Sequence, residues 1–173
     1  MLDVPRFGYD FDIAIVATIV FLVGYGILSR ITNRRVAVIV MAIKVGIVLI
    51  YFCFFEDGAW FIGGDDYAYF YRSNVLFSTG RNPITLWWHP ESIYLKTQHS
   101  RTVPLFLFYF AQYIFGPNYY SPVFFNVLVT VISTLFVYHI LSRISENCGV
   151  NYAIFGAIYF ALHWSTLVWS SFL

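Results

Sequence analysis

The chain has 173 residues and a formal net charge of +1, because ten Lys and Arg nearly balance nine Asp and Glu. Hydrophobic residues make up 60% of the sequence, charged residues only 11%, and the mean hydropathy is +0.70. The surface of a soluble domain cannot cover so apolar a composition, and so small a net charge gives no reason to expect nucleic-acid binding. The sequence therefore predicts an integral membrane protein.

The first apolar run covers residues 11–31 and is long enough for a membrane span of about 20 residues. A cleaved signal peptide is the alternative interpretation. The preceding segment lacks a basic region, and the run is followed by the Arg-rich sequence around Arg34 and Arg35, so we favour a retained helix.

The second apolar run covers residues 36–55 and is interrupted by one charged side chain, Lys44. An ionisable residue inside a span is costly and usually has a partner. We expect Lys44 either to face a neighbouring helix or to extend its ammonium group toward lipid phosphates at the membrane surface.

A long loop, residues 56–121, separates the second run from the third. It begins with a polar and aromatic stretch that predicts a helix over about 65–77, lying in the lipid headgroup zone. A second, apolar helix is predicted over 103–115, from near Pro104 to Gly116. At about 1.5 Å per residue it covers roughly 20 Å, too little for a hydrocarbon core of about 30 Å. We therefore interpret it as re-entrant or interfacial; if it spans instead, the orientation of the third span is reversed.

The third and fourth predicted spans cover residues 122–141 and 152–173. The predicted fold is all-α, with about four transmembrane helices, interfacial or re-entrant helices in the long loop, and one membrane domain over residues 1–173. The last span has neither a basic flank nor a glycine cap after it. We therefore expect the sequence to be the N-terminal part of a longer protein.

Basic residues in the short loops predict the orientation. Arg30, Arg34 and Arg35 join the first two spans, and Arg143 lies between the last two. Positively charged short loops face the cytoplasm, so the long loop is expected on the non-cytoplasmic side, with the plasma membrane as the expected location.

The predicted helix over 65–77 carries the candidate catalytic residues, Asp65 and Asp66. At 100° per residue, Asp65 shares a helix face with Tyr69 and Arg72, which are candidate substrate-binding residues. Two simpler interpretations remain open. The carboxylates could only cap the helix and interact with its dipole, and the aromatic residues could form a membrane-interface belt without a chemical role.

The remaining candidate substrate-binding residues lie further along the loop: His89, Glu91, His99 and Arg101. A guanidinium group binds phosphate through two parallel hydrogen bonds, so Arg101 is a candidate for a lipid-linked phosphate, although an ordinary headgroup contact is equally open. His89, Glu91 and His99 could join an Asp in binding a divalent cation, but their spacing is irregular. The sequence therefore leaves both metal and cofactor undetermined.

These motifs occur in a familiar order: Gly-Gly-Asp-Asp-Tyr-Ala-Tyr after an early span, a Pro-led apolar helix ending in Phe115-Gly116-Pro117, and Phe125-Asn126 in the next span. In this order the chain resembles the N-terminal part of GT-C membrane glycosyltransferases, closest to the protein-mannosyltransferase-like and oligosaccharide-polymerase-like proteins. It departs from them in having an extra span, 11–31, before the acidic loop, and in having far fewer helices.

The resemblance implies a sugar donor linked to polyprenyl phosphate, membrane lipid as a partner, and a glycan, lipid or protein acceptor. It implies that Asp65 is the general base, with Asp66 its neighbour and substitute, and that Arg101 holds the phosphate. A non-catalytic membrane subunit or scaffold is the alternative function, and a transporter fragment, suggested by Lys44, is the third.

Overall fold

The computed structural model describes residues 11–54, 64–80, 102–118, 120–144 and 150–163. This part of the chain is helical, with no strand. Its helices are α1 (Phe11–Leu28), α2 (Arg34–Phe54), α3 (Gly64–Ser78), α4 (Thr102–Phe115), α5 (Tyr120–Ile144) and α6 (Val150–Leu162). The all-α prediction is confirmed for these residues.

The chain divides into two compact units. The apolar unit contains α1, α2, α5 from Val123 onward, and α6. The α3–α4 unit contains those two helices and the chain through Pro122. The prediction of one membrane domain over residues 1–173 stays a prediction.

Within the described residues, two helices are long and apolar enough to cross a membrane: residues Arg34–Phe52 of α2, and the whole of α5. The apolar parts of α1 and α6, Ile13–Leu28 and Tyr152–Leu162, are shorter. The predicted arrangement of four spans is therefore not confirmed. The first predicted span is shortened because α1 ends at Leu28. The fourth is shortened because α6 ends at Leu162, and its remaining positions from 164 onward lie outside the described residues.

The connection between α1 and α2 shows why α1 ends at Leu28 and why α2 begins at Arg34. Backbone hydrogen bonds from Ile31 and Thr32 to the Leu28 carbonyl close a tight turn after α1. Asn33 then caps α2, since its Oδ1 accepts a hydrogen bond from the Val36 N–H at 2.9 Å. This cap moves the start of α2 to Arg34, two residues before the apolar run begins.

Inside the apolar unit, α1 and α2 pack closely where Gly24 meets Met41. A Cβ atom added at Gly24 would collide with the end of the Met41 side chain, whereas one added at Gly26 would meet nothing within 4 Å. Gly24 therefore allows the two backbones to approach, and Gly26 lies away from that contact.

In α6, the residues Ala153, Ala157 and Ala161 are buried at intervals of four, while Tyr152, Phe155 and Tyr159 are exposed. Gly156 lies against Leu141 of α5. Small residues on one side of α6 thus allow close packing, and large aromatic residues lie on the outside.

Both helices of the α3–α4 unit are followed by a glycine with positive φ, Gly80 after α3 (65°) and Gly116 after α4 (90°). Only glycine adopts this conformation readily, so both residues suit a helix end. The predicted end of the apolar helix at Gly116 is confirmed, and Pro104, the third residue of α4, lies in the first turn, where its missing N–H is not needed. The interfacial or re-entrant placement of α3 and α4 stays a prediction.

Candidate functional site

The two candidate catalytic residues lie at the beginning of α3. The helix starts at Gly64, so Asp65 and Asp66 are its second and third residues. The interpretation that an Asp caps this helix stays a prediction, because both carboxylates lie within the first turn. Carboxylates in the first helical turn still interact favourably with the partial positive charge of the helix N-terminus.

The other candidate site residues are divided between α3 and the part of the chain outside the described residues. Tyr69 and Arg72 lie on α3, and the Arg72 side chain is half-buried. His89, Glu91, His99 and Arg101 fall outside the described residues, so their assignment stays a prediction.

Burial along α3 identifies the side that packs inside its unit. Phe70, Ser73 and Leu76 are buried, and these positions lie within a narrow arc around Ser73. At 100° per residue, the helix positions of Asp66 and Tyr69 fall within the same arc, whereas those of Asp65 and Arg72 lie outside it on the side of Leu76. The predicted face shared by Asp65, Tyr69 and Arg72 therefore adjoins the packed side of α3.

Two contacts define the direction in which α4 packs against α3. Gln112 Nε2 donates a hydrogen bond to Ser73 Oγ. One helical turn further along α3, the Phe77 ring meets the Tyr109 ring edge-on, with centroids 6.1 Å apart. The residue numbers rise on one helix as they fall on the other, so α3 and α4 are antiparallel.

This register places the start of α3 level with the turn that follows α4. One helical turn from Ser73 toward the beginning of α3 reaches position 69, and one turn from Gln112 toward the end of α4 reaches Gly116. The first turn of α3, with Asp65 and Asp66, lies one step further toward the end of the pair at which α4 stops. The acidic residues and this turn therefore belong to the same end of the helix pair.

The turn after α4 carries polar groups that sequence reasoning did not assign to the site. Asn118 Nδ2 donates a hydrogen bond to Tyr120 Oη at 2.8 Å, and Ser121 Oγ donates to the Gly116 carbonyl at 2.7 Å. Tyr120 and Ser121 are buried. The sequence does predict a turn here, because Gly116-Pro117-Asn118 is a typical turn sequence. That sequence does not show which helix the turn approaches or which side chains the turn positions.

The Ser73–Gln112 pair was also missed. Both side chains are completely buried, and Ser73 Oγ donates in turn to the Phe70 carbonyl at 2.8 Å. Gln112 Oε1 is buried and has no hydrogen-bond partner in the part of the chain that the structure describes. The sequence does carry a signal for this pair. Gln112 is a single amide in an otherwise apolar helix, and an amide is costly to bury without hydrogen-bond partners.

Lys44 is the second polar feature, and it belongs to the apolar unit. Its side chain is completely buried, and its Nζ donates a hydrogen bond to Thr130 Oγ1 of α5 at 3.2 Å. Of the two interpretations left open by the sequence, contact with a neighbouring helix is confirmed and extension to lipid phosphates is wrong. The ammonium group finds its acceptor on the facing helix, about ten residues from either end of α2.

The described residues contain no group of three or more His, Cys, Asp or Glu side chains arranged to hold a metal ion. The candidate cation ligands His89, Glu91 and His99 lie elsewhere in the chain, so the divalent cation stays a prediction. Comparison with protein-family models, with curated proteins and with solved structures finds no match to this chain.

Proposed function

We propose that the chain is part of an integral membrane glycosyltransferase of the GT-C type, which transfers a sugar from a polyprenyl-phosphate donor on the non-cytoplasmic face of the plasma membrane. The supporting observation is the α3–α4 unit. A short helix carries two adjacent carboxylates in its first turn, and it packs antiparallel to a short apolar helix, so that the acids lie level with a polar turn. In this proposal α1, α2, α5 and α6 form four spans, and α3 and α4 lie at the membrane surface.

The reaction requires a base for the acceptor and a holder for the leaving phosphate. Asp65 accepts the proton of the acceptor hydroxyl, whose oxygen attacks the anomeric carbon of the sugar. The bond from that carbon to the phosphate oxygen breaks, and polyprenyl phosphate leaves with the electron pair. Asp66 is the substitute base, Tyr69 and Arg72 bind substrate on the same helix, and Arg101 holds the phosphate.

A membrane scaffold is the second candidate, and one observation favours it. Asp65 and Asp66 in the first turn of α3 stabilise that helix through its dipole whether or not they act chemically. In this alternative the acidic loop binds a partner protein. The third candidate, a transporter fragment, is supported by the buried Lys44.

A donor-consumption assay distinguishes the enzyme from the scaffold. Membranes containing the full-length protein are supplied with radiolabelled sugars on polyprenyl phosphate, and release of polyprenyl phosphate is measured against membranes without the protein. The proposal predicts protein-dependent release with one donor and transfer of label to an acceptor. If none of the donors is consumed, while the protein is inserted and copurifies with a partner, the scaffold is supported and the enzyme is rejected.

A further inference from the structure

The outer face of α4, formed by Leu107, Phe110 and Ile114, is apolar and exposed. These side chains are 45%, 41% and 58% exposed, although they belong to a compact unit. At 100° per residue the three positions fall within an arc of about 60°, and the middle of that arc lies about 170° from Gln112. Because Gln112 contacts Ser73, the outer face of α4 lies on the side opposite to α3.

The chemistry of this face favours lipid over a protein partner. The sequence of α4 contains no charged residue, and the outer face carries only hydrocarbon side chains. An interface between proteins usually contains hydrogen bonds and a polar rim, which this face does not supply. Acyl chains need no hydrogen bonds. The exposed Tyr113, beside the outer face, has the amphipathic character of residues in the lipid headgroup zone.

The connection from α4 to α5 keeps the helix pair close to a membrane. The helix α5, which is long and apolar enough to cross a membrane, begins at Tyr120, and α4 ends at Phe115. The chain between these residues reaches at most about 18 Å. Ser121 Oγ also donates a hydrogen bond to the Gly116 carbonyl, so the end of α4 stays beside the first turn of α5. The first turn of α3, with its acids, belongs to this same end of the pair.

We propose that the α3–α4 unit binds the lipid bilayer through the outer face of α4, and that α3 lies on the water-facing side of α4. This arrangement rests on the proposed function, which puts both helices at the membrane surface, and it assigns the lipid contact to α4 alone. Packed helices have axes about 8–10 Å apart, and an interfacial helix buries its apolar face about 5–10 Å into the boundary between headgroups and acyl chains. The acids of α3 are thereby held near the level of the lipid phosphates, where the phosphate of a lipid-linked donor lies.

The accessibility of nitroxide spin labels tests this arrangement. The full chain, with Cys53 and Cys148 replaced by Ser, is labelled at Phe110→Cys and reconstituted in vesicles of phosphatidylcholine and phosphatidylglycerol. Oxygen, which concentrates in hydrocarbon, is expected to relax this label more strongly than a water-soluble nickel complex does, with a label depth of about 5–10 Å. Ser78→Cys is the matched control, because Ser78 is exposed at the end of α3. The nickel complex should relax that label more strongly than oxygen does.

Stronger relaxation of the Phe110→Cys label by nickel than by oxygen overturns the proposal, because the outer face is then in water. Weak relaxation by both reagents also overturns it, because protein then covers the face. Stronger relaxation of the Ser78→Cys label by oxygen overturns the assignment of the lipid contact to α4 alone. If Phe110→Cys is not inserted, Ile114→Cys is used under the same criteria.

The donor-consumption assay separates this proposal from the proposed function. Donor consumption together with a water-exposed position 110 rejects the lipid contact and leaves the enzyme standing. A lipid-exposed position 110 without donor consumption rejects the enzyme and leaves the lipid contact standing.

Discussion

At the scale of single residues, Ser73 and Gln112 form the buried polar contact that links α3 to α4. Ser73 Oγ donates to the Phe70 carbonyl and accepts from Gln112 Nε2, so it is satisfied in both directions. Gln112 depends on Ser73 for its hydrogen bond, and its Oε1 has none among the described groups. The pair therefore gives α3 and α4 a fixed register.

Ser73→Ala is expected to lower the free energy of unfolding by about 1–3 kcal/mol, because it leaves the Gln112 amide buried with neither polar group paired. Ser78→Ala is the matched control. Ser78 is on the same helix and also donates to a backbone carbonyl, that of Val75, but it is exposed. Its replacement should change stability by less than about 0.5 kcal/mol. Denaturant unfolding of the purified full chain measures both variants; equal effects would contradict the role given to Ser73.

At the scale of elements, the antiparallel pairing of α3 and α4 brings the first turn of α3, with its acids, and the turn that begins at Gly116 to the same end. One face of α4, with Leu105, Phe108 and Ala111, is buried, whereas Leu107, Phe110 and Tyr113 are exposed. The side of α4 that contacts α3 is thus defined by Gln112 and its neighbours. A parallel pairing would instead place the acids beside the beginning of α4.

Thiol cross-linking tests this register. With Cys53 and Cys148 replaced by Ser, a short bifunctional maleimide should join the pair Phe77→Cys and Tyr109→Cys, because the two rings are in contact. The pair Phe77→Cys and Phe115→Cys is the control, since only a parallel pairing that keeps Ser73 against Gln112 would bring position 77 level with the end of α4. Gel mobility with and without the cross-linker gives the result, and cross-linking of the control pair alone would disprove the antiparallel register.

The positions of the helices along the chain were more predictable from the sequence than the contacts between helices. Runs of apolar residues and the Gly116 stop predicted where helices occur, because both are local signals. The predicted helix boundaries were less accurate where a capping side chain determines them, as when Asn33 caps α2 and its first residue is Arg34. Contacts such as Lys44 with Thr130 or Ser73 with Gln112 were not predictable, since an apolar helix offers several possible packing sides and the partner lies far away in the chain.

At the scale of the whole molecule, the chain forms two compact units with different compositions. In the described part of the chain, the apolar unit contains α2 and α5 from Val123 onward, the helices long and apolar enough to cross a membrane, and the α3–α4 unit contains Asp65 and Asp66. Arg30, Arg34, Arg35 and Arg143 are exposed at helix ends or in the turn between α1 and α2. Their positions agree with the proposal that these helix ends face the cytoplasm. In the proposed orientation, Asp65 and Asp66 face the non-cytoplasmic side.

Labelling of single cysteines tests that orientation. In a background without Cys53 and Cys148, Thr79→Cys reports the turn after α3, and Thr32→Cys reports the turn between α1 and α2. A membrane-impermeant maleimide added to intact cells should label Thr79→Cys and leave Thr32→Cys unlabelled until the cells are opened. Labelling of both positions from outside, or of Thr32→Cys alone, would contradict the orientation.

The rate of sugar transfer by the full-length protein with Asp65→Asn tests whether the Asp65 carboxylate is the general base. The substitution keeps the shape of the side chain and removes the base, so the account predicts that the rate falls by about 100-fold or more while membrane insertion is unchanged. Glu146→Gln, an acid in the predicted cytoplasmic loop, should keep the unmodified rate. Transfer at the unmodified rate by Asp65→Asn would contradict the assignment of Asp65 as the general base.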